Sequence, residues 1–290
     1  VARGKDLTVS GPRRAGLLLC LALSAPHAAS QTPDVPFVPT PPVVVEAMLK
    51  LAGVGPEDYV IDLGSGDGRI VIAAAKQHGA RGVGVEIDSA LVGEARREAR
   101  RQGVESRAEF KTDDLLQMNI RGATVVTMYL YPRLMLAMRP RLVTELKPGT
   151  RIVSHEFGME GWEPDARVTV PVPDKPYGPP SSDVLLWIVP ADARGVWQWR
   201  LVAGATTTDY EIVLSQEYQK LRGGPGRVEV GTMKGEEISL VLVSSEAGKA
   251  LRHEYRGRIG GDSIRGIVRL PGGEELPWNA TRARRSGQIQ

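Results

Sequence analysis

The sequence predicts an α/β protein: a doubly wound, Rossmann-like sheet followed by a small all-β domain. Three observations carry that expectation. Apolar strand-like runs alternate with segments of helical period between residues 43 and 154. The first of those runs breaks into three alternating glycines, Gly64, Gly66 and Gly68, and then becomes a helix. Beyond Pro190 helical periodicity disappears, and short alternating segments separated by Gly223-Gly224, Lys234-Gly235, Gly260-Gly261-Asp262 and Gly272-Gly273 take over. The division expected is a leader at 1–30, an α/β domain at 31–190 and a β-rich domain at 191–290.

The leader has a basic stretch ending at Arg14, an apolar core over 15–25 and a small-residue end at Ala28-Ala29-Ser30, which reads as a secretory signal peptide cleaved after Ser30. The apolar core falls short of the roughly 18 residues that span a bilayer. An exported or periplasmic protein is therefore expected, with a membrane-associated chain facing the cytoplasm as the alternative. The formal net charge of +3 belongs to this leader; without it 33 basic residues face 33 acidic ones, and nothing is left to argue for a nucleic-acid partner. Cys20 is the only cysteine and lies in the leader, while His78, His155 and His253 are widely separated, so no metal site is expected.

Prolines at 33, 36, 39, 41 and 42 predict an extended entry, with Thr40 placed to cap a helix over 43–54 whose Val44, Met48 and Leu51 share a face. Next come strand 58–63, helix 69–78, strand 82–87, helix 89–102, strand 107–111, strand 123–130, a helix from Pro132 to about Leu146 and strand 150–154. Alternation of this kind implies parallel strands with right-handed crossovers. Segments 167–172 and 183–189 are expected as an antiparallel pair at a sheet edge, where Pro171 is tolerable. The β-rich part should hold seven strands, at 197–202, 209–215, 227–232, 237–243, 252–259, 263–269 and 275–279, forming a sandwich or partial barrel with Trp197, Trp199, Tyr218, Tyr255 and Trp278 in its core.

The chemistry is concentrated in Asp62-Leu63-Gly64-Ser65-Gly66-Asp67-Gly68-Arg69. Glycines let the backbone turn tightly against a ligand, and a helix opening at Arg69 aims free N–H groups at it. The spacing is G-x-G-x-G, not the dinucleotide G-x-G-x-x-G. Asp67 would repel a pyrophosphate but tolerate or attract S-adenosylmethionine, with its sulfonium and α-ammonium. Glu86, 22 residues after Gly64 and followed by Ile87, ends the second strand where a carboxylate can grip both ribose hydroxyls. Asp113 or Asp114, after the third strand, is placed to meet the amino group of an adenine.

With those motifs in place, the chain resembles the seven-strand S-adenosylmethionine-dependent methyltransferases. Within them, Pro36-Phe37-Val38-Pro39-Thr40-Pro41, the 62–71 motif and Trp162-Glu163-Pro164-Asp165 are similar to the mitochondrial lysine methyltransferases that modify the ring protein of ATP synthase and the adenine nucleotide translocase, and to their bacterial relatives. The resemblance covers about 35–190. It implies cofactor contacts from Asp62, Gly64, Gly66 and Glu86, joined by their neighbours Ser65, Asp67, Gly68 and Ile87, and it favours Asp114 over Asp113 beside the adenine. Methyltransferases of planar amines carry an Asn-Pro-Pro-Tyr-like box after the fourth strand. Here that place reads Thr127-Met128-Tyr129-Leu130-Tyr131-Pro132, which disfavours such substrates.

The function expected is an N-methyltransferase acting on a protein lysine, with Tyr129 and Tyr131 offering aromatic faces to the amine and a membrane-associated protein among the expected substrates. Both tyrosines have a packing role at a strand end as their alternative. A second class of reading is a methyltransferase-fold module that binds S-adenosylmethionine while its β-domain binds peptide or glycan outside the cytoplasm. A nicotinamide oxidoreductase is third, weakened by the glycine spacing and by Asp67.

Overall fold

The computed structural model describes Val1 and residues 37–176, 178–224, 228–246 and 249–283. The predicted signal peptide, Val1 apart, lies outside them. Described elements begin with α1 (Pro42–Leu51), β1 (Tyr59–Leu63), α2 (Arg69–His78), β2 (Arg81–Glu86), α3 (Ser89–Arg101) and β3 (Ala108–Thr112). They continue with β4 (Val125–Met128), α4 (Pro132–Glu145), β5 (Arg151–His155), β6 (Ala166–Pro171) and β7 (Ser181–Ile188). The seven strands form one sheet in the order β3-β2-β1-β4-β5-β7-β6, with β1 to β5 parallel and β7 antiparallel to both its neighbours. Pro171 ends the edge strand β6, where its missing N–H breaks no ladder.

Alternation along the strands assigns the faces. Val60, Val125, Val153 and Val184 point to one side and pack with Val44, Met48 and Leu49 of α1. Ile61, Val126, Ile152 and Leu185 point to the other and pack with Met135, Met138 and Leu142 of α4. A further cluster joins α2 and α3 through Val71, Ala75, Val92 and Ala95 to Phe110 of β3. Strand order reverses between β1 and β4, so the crevice at their carboxyl ends is where an open α/β sheet receives a ligand.

Thr40 does not cap α1, contrary to expectation. Pro41 occupies the N-cap and Pro42 the first turn, with no side-chain cap. Thr40 turns to the sheet instead: its Oγ1 shares a 3.2 Å hydrogen bond with His155 Nδ1, and its carbonyl accepts from Arg69 at 2.8 Å.

The C-terminal part consists of β8 (Gly195–Ala203), β9 (Thr206–Glu217), β10 (Lys220–Gly223), β11 (Val228–Lys234), β12 (Glu237–Glu246), β13 (Lys249–Gly260), β14 (Ser263–Arg269) and β15 (Glu275–Arg282). It is a closed antiparallel barrel, where the sequence suggested a sandwich or an open one; β15 returns to pair with β8. β10 was not expected, because Gly223-Gly224 looked like a turn whereas Gly223 ends a strand. The glycines Gly257 and Gly266 sit opposite each other, and a Cβ on Gly266 would overlap the Arg256 carbonyl. A close backbone approach of this kind lets a sheet coil tightly enough to close. Trp197, Trp199, Tyr255 and Trp278 fill the interior, but Tyr218 packs against the core of the seven-strand sheet, not the barrel's.

Candidate cofactor and acceptor site

β1 ends at Leu63, and the chain turns through Gly64, Gly66 and Gly68 at φ 78°, 52° and 81°. These are left-handed values that non-glycine residues rarely adopt. The amides of Gly64 and Ser65 both donate to Val85 O at 2.9 Å, which pins the loop to the end of β2. What excludes a Cβ here is protein. At Gly64 it would come within 2.8 Å of Leu130, and at Gly66 it would overlap the Phe37 ring. The glycine loop is thus clasped between the segment after β4 and the extended entry before α1.

Asp62, one residue before the end of β1, is only 1% exposed. Its Oδ1 accepts from Thr127 Oγ1 at 2.6 Å, while Oδ2 is buried without a hydrogen-bond partner among the described residues. Burial pushes its carboxyl up to about 7; the Thr127 hydrogen bond opposes that, and the charges of Glu86 and Asp67 add to it. An orphaned carboxylate oxygen beside a glycine loop fits a cationic ligand group, so Asp62 suits the ammonium of S-adenosylmethionine.

Glu86 is held at the end of β2. Its Oε2 accepts from Gly66 N at 3.0 Å, and its Oε1 from the amides of Ile87 and Asp88 at 2.8 and 3.1 Å. A carboxylate has about four acceptor positions, so a bond to a ribose hydroxyl remains open to it. Ile87 is exposed beside it. Asp113 N donates to Glu86 O, which brings the 113–118 turn alongside. Asp114 caps that turn through Leu116 N at 2.8 Å, and Asp113 accepts from Asp114 N.

Two expected contacts fall elsewhere. The Asp67 carboxylate does not face a ligand: it takes a bidentate grip from Arg69, with Nε at 2.9 and 3.1 Å, and the same guanidinium reaches Thr40 O. Ser65 points into the sheet against Gly84, its Oγ buried without a hydrogen-bond partner among the described residues. Both are structural members of the loop.

After β4 the rings of Tyr129 and Tyr131 lie near-parallel to that of Phe157, at centroid distances of 6.2 and 6.4 Å. Tyr129 also rests 4.0 Å from the imidazole of His155. His155 is buried, bonded to Thr40 on one nitrogen and to Ser182 at 3.0 Å on the other. Burial lowers its pKa to about 4; Glu156 opposes the shift and Lys175 adds to it, so the ring is neutral at ordinary pH. Sequence reasoning missed Phe157, Phe37 and Thr127. Phe157 was the most legible, as one of three phenylalanines in the chain.

A cleft built this way suits an adenosyl cofactor that carries positive charge, which places the chain in the class of seven-strand S-adenosylmethionine-dependent methyltransferases. Residues 62–166 match the family model described as the ANTKMT methyltransferase domain. A protein-lysine N-methyltransferase of Saccharolobus islandicus is 46% identical over 142 residues, covering 49% of this chain and 88% of that one. The human lysine N-methyltransferase named for the ring protein of ATP synthase is 36% identical over 131 residues, covering 45% and 55%. A solved structure described as an RNA methyltransferase from Salinibacter ruber, in complex with S-adenosyl-L-homocysteine, is 48% identical and covers 53% of this chain and 95% of that one at a TM-score of 0.49. The chain belongs to the methyltransferase family of these lysine N-methyltransferases. It spans just over half the length of the vertebrate members it matches.

Proposed function

We propose that this chain transfers the methyl group of S-adenosylmethionine to the ε-amine of a lysine in a protein. The observation that carries the reading is the aromatic wall of Tyr129, Tyr131 and Phe157, joined to the glycine loop through the contact of Leu130 with Gly64. The relatives named for lysine supply the acceptor class. The cofactor supplies an electrophilic methyl on a sulfonium. The chain's residues then have three tasks. Asp62 receives the ammonium, Glu86 a ribose hydroxyl, and Ile87 with Asp114 the adenine. The rings hold the lysine first as ammonium, by cation–π attraction, and shed its water. Desolvation lowers the lysine pKa from about 10.4, freeing the lone pair for in-line attack. Among the described residues no group of three or more His, Cys, Asp or Glu is placed to hold a metal, and this route asks for none.

The test is transfer of tritiated methyl to protein, with the modified residue located by mass spectrometry. Activity should rise with pH as more acceptor lysine becomes neutral, levelling off at that lysine's pKa in the complex. Tyr129→Phe should keep most of the activity and Tyr129→Ala should lose about ten- to a hundredfold in kcat/KM. Label appearing on RNA and never on lysine overturns the acceptor and leaves the cofactor reading standing. Export through the leader, and an acceptor held near a membrane, belong to the same reading; they rest on the sequence of residues 1–30 and on the relatives named for ATP synthase.

A further inference from the structure

Two non-glycine residues among those described adopt a left-handed backbone, Glu156 at φ 69° and Tyr218 at φ 52°. Such values cost roughly 1–3 kcal/mol and persist only where the surroundings impose them. Glu156 is in the seven-strand domain and Tyr218 in the barrel, yet both act on one stretch, residues 156–165. No helix follows β5 among the described residues, and this stretch stands where a doubly wound sheet would place one.

Its near end is fixed by the sheet. Glu156 N donates to Asp183 O at 2.7 Å, Phe157 N folds back to His155 O at 2.8 Å, and Ser154 Oγ donates to Phe157 O at 2.5 Å. The Glu156 carboxylate takes the ammonium of Lys175 at 3.1 Å. That tight turn sets the Phe157 ring near-parallel to those of Tyr129 and Tyr131.

Its far end is held by the barrel. Tyr218 and Gln219 form the tip between β9 and β10, a place where Gly or Asn ordinarily supplies positive φ. The Tyr218 ring lies flat on Trp162, with centroids 5.1 Å apart and planes 7° from parallel. Arg139 covers it at 6.0 Å from the centroid and also donates to Glu160 O. Gln219 Nε2 donates to Glu163 O at 2.9 Å and to Asp165 Oδ2 at 3.1 Å. The barrel therefore contributes a ring and two hydrogen bonds to the stretch whose other end carries the aromatic wall.

We infer that the barrel sets the acceptor side of the site. Tyr218 and Gln219 are positioning residues that brace residues 156–165, and Phe157, carried by that stretch, contacts the acceptor side chain. This rests on the lysine reading of the aromatic wall. The barrel thereby gains a task in methyl transfer without touching cofactor or substrate.

The experiment uses the full chain, tritiated S-adenosylmethionine and poly-L-lysine as acceptor, with hydrogen exchange followed by mass spectrometry. Tyr218→Ala should lower kcat/KM for poly-L-lysine at least tenfold, leave the Kd for S-adenosylmethionine within twofold, and speed amide exchange at 156–165 but not at 59–70. Tyr218→Phe keeps the ring and should behave as the parent. If Tyr218→Ala fails to fold, Gln219→Ala, which removes only the two hydrogen bonds, should show the same pattern at smaller amplitude. A folded Tyr218→Ala with parent-like acceptor kinetics overturns the inference, as does one whose cofactor affinity falls as far as its kcat/KM. If the parent itself never labels lysine, the lysine reading fails separately. Exchange at 156–165 then decides the brace, faster exchange supporting it and unchanged exchange overturning it.

Discussion

Asp62 is the residue on which electrostatics and ligand binding meet. Its folded pKa of about 7 lies above the ordinary 3.8, so burial favours the protonated form. A raised value stabilises the fold below about pH 4, and the contribution is lost as pH rises through about 7. Asp62→Asn should therefore raise the thermal stability of the ligand-free chain at pH 8, by an amount equivalent to about 1–4 kcal/mol, and change it little at pH 4. The same substitution should weaken S-adenosylmethionine binding at pH 8. It should also flatten the loss of affinity that the parent shows, in calorimetry, as pH falls from about 8 to 6 and Asp62 takes up a proton. Glu86 gives a simpler expectation. Three backbone amides already orient it, so Glu86→Ala should cost about 1.5–3 kcal/mol in cofactor binding, roughly ten- to a hundredfold, whereas Asp113→Ala should cost little by the same titration.

At the scale of elements, the extended entry 37–41 is part of the site's frame. Arg69 joins it to the glycine loop by binding Asp67 and Thr40 O at once, and His155 joins it to β5. Arg69→Met keeps the apolar stem but removes both links. Limited proteolysis should then cut near residues 37–41 faster than in the parent, and cofactor affinity should fall about three- to tenfold as the loop loosens. Each element of the sheet domain was legible as a period, 2 for strands and 3.6 for helices, and their bounds were expected to within a few residues. Two roles were not legible. Thr40 looked like a cap by its position alone, but consecutive prolines fix the first turn of α1 and leave its hydroxyl free for a histidine 115 residues away. Asp67 looked like a ligand contact because its partner Arg69, two residues on, was read only as the start of a helix.

For the whole molecule, charge offers a test of the leader. The 1–30 segment carries the entire net charge of +3, so a chain cleaved after Ser30 should focus near neutral pH and the intact chain well above it, with N-terminal sequencing beginning at Gln31. Among the described residues no helix is long and apolar enough to cross a membrane. The sequence by itself determined the sheet domain and its cofactor loop, because these depend on local periodicity, on glycines at positive φ and on an acid at a strand end, all written within about thirty residues. Tertiary structure alone decided three things. It closed the barrel, since pairing β15 with β8 joins residues some eighty positions apart. It also orphaned one oxygen of Asp62, which depends on how β4 packs beside β1. And it laid Tyr218 on Trp162, because a contact between separate domains leaves no period in either segment.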